Sequence, residues 1–71
     1  MVPERLKQLR KEHAVTQKSI AIATGIAQRH YQDYEYGMKK PGSDALIALA
    51  DFFGCSVDYL LGRTDNPEVN S

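Results

Sequence analysis

Tryptophan is absent from the 71-residue sequence, and cysteine occurs once, at Cys55. A single thiol forms no intramolecular disulfide and anchors no thiolate-rich zinc site. The two histidines, His13 and His30, do not fall at a metal-ligand spacing, so neither a metal nor a cofactor is expected. No serine or cysteine has a nearby sequence partner suggesting a nucleophilic triad, which argues against an enzyme. No apolar run approaches the ~20 residues of a membrane span, and the N-terminus lacks the apolar stretch of a signal peptide. Together these absences predict a soluble protein of a reducing compartment, the cytoplasm. Runs alternating apolar and polar residues between turn pairs are missing as well, so no strand is expected.

Net charge is also missing, but only as a sum. Residues 1–40 carry eight cations, Arg5, Lys7, Arg10, Lys11, Lys18, Arg29, Lys39 and Lys40, against the carboxylates Glu4, Glu12, Asp33 and Glu35. Residues 41–71 carry Arg63 against Asp44, Asp51, Asp58, Asp65 and Glu68. The first half is therefore basic enough to approach polyphosphate, and the second half acidic enough to stay off it.

What is present is helical patterning in a chain long enough for one domain, with a radius of gyration of roughly 11 Å. A chain this short needs well-packed helices or a partner subunit to be stable. Pro3 suits the first turn of a helix running to about Glu12, with Leu6 and Leu9 as its inner stripe. Thr16 caps a second helix whose Ile20 and Ala21 face inward, and Gly25 supplies a left-handed end. A third helix, about Gln28 to Tyr36, places Tyr31, Tyr34 and Glu35 on one side and Gln28, Arg29, Gln32 and Asp33 on the other. Gly37 ends it. Either Gly42 or Ser43 caps a fourth helix with an apolar face of Leu46, Ile47, Leu49, Ala50 and Phe53. Gly54 closes that helix, and Ser56 caps a last short one, Val57 to Leu61. Cys55, between Phe53 and Val57, suits a buried apolar thiol. The expected fold is all-α: a five-helix domain over residues 1–62, followed by a polar tail, 63–71, expected to fray.

Two helices joined by a short glycine-containing turn, the second with a free polar face, make a helix-turn-helix, the arrangement used to enter the major groove. The chain resembles the phage repressor and Cro type of helix-turn-helix domain, the XRE family, over about residues 4–61. The resemblance is carried by Arg5-Leu6-Lys7-Gln8-Leu9-Arg10, Thr16-Gln17, Ile20-Ala21, Gly25, Tyr34-Glu35-Tyr36-Gly37, Pro41 and Ser56-Val57-Asp58-Tyr59-Leu60-Leu61-Gly62. It implies a bacterial or phage-encoded, sequence-specific regulator of transcription, with repression preferred, bound to a double-stranded DNA operator. It further implies that Gln28, Arg29 and Asp33 face base edges, and Gln32 lies on the same side. The chemistry agrees, because glutamine pairs bidentately with adenine, arginine with guanine, and a carboxylate accepts from cytosine N4. An exposed Arg29–Asp33 pair one turn apart is the plainer alternative for those two residues.

By the same resemblance Gln17 contacts phosphate and holds Gln28, and Arg10 and Glu35 form a partly buried ion pair between the first and third helices. Lys18, Lys39 and Lys40 are the candidate phosphate contacts, with solvated lysines as the alternative for the last two. Three positions depart from the family pattern. Thr24 stands where an aliphatic residue is usual, and Ile22 where a polar one is, so the second helix is either rotated or meets a partner. Tyr31 replaces a β-branched core residue, and its hydroxyl is expected to seek a partner at the core's edge. A domain of this size reads one half-site, which predicts a homodimer on DNA, with Phe52, Tyr59 and Leu61 as its candidate surface. The rival class is a helical protein-interaction module, whose partner would be a toxin or an antirepressor.

Overall fold

Leu6, Ile20, Tyr31, Leu49 and Leu60, one from each of five helices, are sealed from solvent at a single centre. The computed structural model describes residues 2–68. Its helices are α1 (Val2–Glu12), α2 (Gln17–Thr24), α3 (Gln28–Tyr36), α4 (Ser43–Phe53) and α5 (Val57–Leu60), with no strand among the described residues. The radius of gyration is 10.9 Å. None of the described helices is long and apolar enough to cross a membrane.

Local chemistry explains where each helix stops and starts. The Thr16 hydroxyl accepts from the Ser19 amide, and the Ser56 hydroxyl from the Tyr59 amide, each satisfying an otherwise orphaned first-turn donor. α4 is capped by Gly42, in extended conformation, without a side-chain bond, which settles the choice between Gly42 and Ser43. Gly25 and Gly37 end α2 and α3 at φ of +74° and +78°, a conformation costly to residues with a Cβ. The turn after α1 uses a non-glycine in the same region: Ala14 has φ +53°.

The order of burial corrects three sequence expectations, for Ile47, Tyr59 and Tyr31. Ile47 belongs not to the inner face of α4 but to its outer one, 53% exposed, because Leu49, Ala50 and Phe53 already fill the inner stripe. Tyr59, expected on a dimer surface, is a core residue, its ring covered by the Arg5 guanidinium 3.9 Å from the centroid. Phe52 and Leu61 are half-buried, and Leu61 lies just past the end of α5. Tyr31 carries its hydroxyl into the interior instead of to the core's edge.

α2 is not rotated. Ile20 and Ala21 are buried as the pattern requires, Ile22 is 74% exposed, and Thr24 fits the half-buried position by donating to the Ile20 carbonyl at 2.7 Å. Beyond α5, residues 63–68 run back along the domain: the Ser56 amide donates to the Pro67 carbonyl at 3.0 Å, and Asp65 lies 3.7 Å from Arg5. The remainder of the tail expected to fray, 69–71, lies outside the described residues. Cys55 is buried, and burial pushes its thiol up.

Candidate nucleic-acid interface

α3 packs on both α1 and α2, turning Tyr31 and Glu35 into the core and half-burying Tyr34 against it. A helix of nine residues that buries one stripe must show the other. Gln28 and Arg29 are exposed at its start, and Gln32 and Asp33 are half-buried one turn on. These four residues thus lie together on the side of α3 turned away from the core. The three-residue turn through Gly25, Ile26 and Ala27 sets α3 across α2, and Ile26 packs on the core beneath it.

The orientation of that face is fixed by a cluster around Glu35, which is 1% exposed. Arg10 donates to Glu35 from Nη2 at 2.8 Å and from Nε at 2.9 Å, tying α1 to α3. Gln17, the first residue of α2, donates from Nε2 to the same carboxylate at 3.3 Å, and no bond joins it to Gln28. The side-chain link between α2 and α3 therefore runs through Glu35, not through the pair of glutamines. Burial by itself raises the Glu35 carboxyl, but the Arg10 guanidinium, with help from the Gln17 amide, outweighs it and holds the group below its ordinary value. The Tyr31 hydroxyl, buried without a partner in hydrogen-bonding geometry, is pushed upward first by that burial and then by the carboxylate beside it.

At the far end of α3, the amides of Met38 and Lys39 both donate to the Asp33 carbonyl, at 2.8 and 3.3 Å. The chain folds back, and Lys39 Nζ comes to 3.9 Å from Asp33 Oδ2. Arg29, the other candidate partner of Asp33, pairs with no carboxylate among the described residues. Lys18 and Lys40 are exposed at the start of α2 and beyond α3.

Sequence reasoning missed three of these relationships: Gln17 to Glu35, Tyr31 beside Glu35, and Lys39 to Asp33. Only the second had a sequence signal, since Tyr31 and Glu35 are four apart and share a helix face. The others depend on how the chain turns before α2 and after α3.

The arrangement has close counterparts among known proteins. A family model described as helix-turn-helix matches residues 6–60. This chain belongs to the helix-turn-helix family. It is 47% identical over 68 residues to the HTH-type transcriptional regulator YobD of Bacillus subtilis (strain 168), covering 96% of this chain and 61% of that protein. It therefore spans about three fifths of that relative's length. Its fold matches the solution structure of the DNA-binding domain of the P22 c2 repressor with a TM-score of 0.84 at 27% identity, covering 99% of this chain and 91% of that domain. The P22 c2 repressor in complex with a synthetic operator matches with a TM-score of 0.80, again at 27% identity, over 84% of this chain and 91% of that one.

Proposed function

We propose that this helix-turn-helix chain binds double-stranded DNA at specific sequences, with α3 in the major groove, and regulates transcription from the cytoplasm, as a repressor. The observation that carries the reading is the outward face of α3: Gln28, Arg29, Gln32 and Asp33 stand together on a helix whose other side is locked into the core. Those residue types match the donor and acceptor patterns of base edges. The likeness to a repressor found with its operator supports the docking mode.

Lys18, Lys40 and the α2 N-terminus at Gln17 supply the phosphate contacts that give affinity and register, with Lys39 beside them at the exit of α3. One domain covers one half-site, so two copies bind across half-sites about one helical turn apart. The acidic second half, with Ile47 exposed on α4, faces the second copy and not the phosphates.

Selection from random duplexes tests the reading. An enriched sequence is expected, and Arg29→Ala and Gln28→Ala each weaken binding to it by about 1–3 kcal/mol with relaxed choice at one base pair. Lys40→Ala lowers affinity evenly across sequences and reduces the slope of log affinity against log salt by about 0.9. Failure to enrich any duplex would overturn the proposal in favour of a protein-binding role.

A further inference from the structure

The reading face of α3 holds an apparent contradiction. A carboxylate is an acceptor only, and so is a phosphate, so Asp33 repels the backbone on both sides of any groove it enters. The neighbour one turn before it, Arg29, does not neutralise it. The cation that pairs with it, at 3.9 Å, is Lys39, which lies outside the helix.

Its placement is built into the backbone. Gly37 turns left-handed at φ +78°, and the amides of Gly37, Met38 and Lys39 converge on the single carbonyl of Asp33. This exit turn delivers the Lys39 side chain back over Asp33. Lys40, the next residue, forms no ion pair among the described residues. Adjacent lysines therefore stand in different electrostatic relations to the same helix, and Arg29 keeps its guanidinium free for a base.

We propose that Lys39 determines sequence specificity through Asp33, as the counter-ion that lets this carboxylate enter the groove and accept a hydrogen bond from a base amino group. Lys39 is thus a positioning residue, and Lys40 a plain phosphate contact. The proposal rests on the DNA-binding reading above. An exposed ion pair is weak in water, but exclusion of water on docking strengthens it where it matters. Without Lys39, Asp33 enters the groove unneutralised and discriminates against DNA as a whole. Without Asp33, Lys39 has only a phosphate left to meet.

A double-mutant cycle on the selected duplex separates these roles. Lys39→Gln is expected to weaken binding about tenfold in the wild type and about threefold or less in an Asp33→Asn background, as coupled neighbours do. Lys40→Gln loses the same factor in both backgrounds. Lys39→Gln and Asp33→Asn alter preference at one common base pair, a readout that a general loss of charge does not move. Equal losses for Lys39→Gln in the two backgrounds, or a loss of affinity uniform over all sequences, overturn the proposal. A wild type that enriches no duplex at all is a different result, and removes the DNA-binding reading itself.

Discussion

The Gln17 side-chain amide and the Arg10 guanidinium donate to the same oxygen of Glu35, at 3.3 and 2.8 Å. One buried carboxylate thereby joins the first residue of α2 to the last turn of α1, across the helix that carries the proposed reading face. The angle between α2 and α3 is set from inside the domain, and the proposed groove docking inherits it. Removing the carboxylate should affect stability and DNA reading together.

Glu35→Ala is expected to destabilise the domain by about 3 kcal/mol, since it strands the Arg10 charge. That is the low end for a broken buried pair, because the Arg10 side chain keeps 26% of its exposure and with it some water. Urea unfolding measures the change. A loss below about 1 kcal/mol would mean that the pair contributes as a surface ion pair does.

The same carboxylate imposes a direction on acid unfolding. Its folded-state ionisation lies below the ordinary value of 4.5, because Arg10 and Gln17 outweigh burial. A group depressed on folding contributes stability that is present above its unfolded value and lost as pH falls through the folded one. Wild-type stability should therefore decline below the ordinary glutamate range. In Glu35→Gln that part of the decline disappears, leaving a chain less stable at neutral pH with a flatter acid limb. Parallel acid limbs for the two proteins would exclude Glu35 as the titrating group.

Tyr31→Phe removes a buried hydroxyl that has no partner in hydrogen-bonding geometry. Because an unsatisfied buried group carries a desolvation penalty, the variant should match or exceed the wild type by up to about 1 kcal/mol. Thermal unfolding with the Tyr31→Phe chain decides this. Destabilisation by more than 1 kcal/mol would show that the phenol donates to Glu35 in solution.

Much of this fold was legible because helix signals are local. Thr16, Gly25, Gly37, Gly54 and Ser56 mark helix ends through their own backbone and side-chain chemistry, and α3 spans Gln28–Tyr36 as its pattern predicts. The outward face of α3 was legible for the same reason, since one helix period separates it from the buried Tyr31 and Glu35. Ile47 and Tyr59 were misplaced because apolar character does not say which of several apolar residues the small core accommodates. Arg29, the neighbour of Asp33 by helix period, was the plainer alternative as its partner, but Asp33 pairs with Lys39 because the Gly37 turn reverses the chain. The Gln17–Glu35 bond is likewise tertiary, spanning two helices with no shared period.

The exposed Ile47 gives the proposed dimer its sharpest handle. With Phe52 and Leu61 half-buried and Tyr59 inside, Ile47 is the large apolar side chain that α4 leaves mostly in water. Its surroundings include the carboxylates Asp51 and Asp58, which line the same groove. An added carboxylate at this position meets both its own neighbours and those of a second copy across a twofold interface. Ile47→Glu should leave monomer stability within about 0.5 kcal/mol, as expected for a surface change. On a duplex with two half-sites it should abolish cooperative occupancy, while binding to a single half-site stays at the wild-type level. Sedimentation of the protein–duplex complexes distinguishes one bound copy from two. Two copies bound with undiminished cooperativity would exclude this face of α4 from the interface.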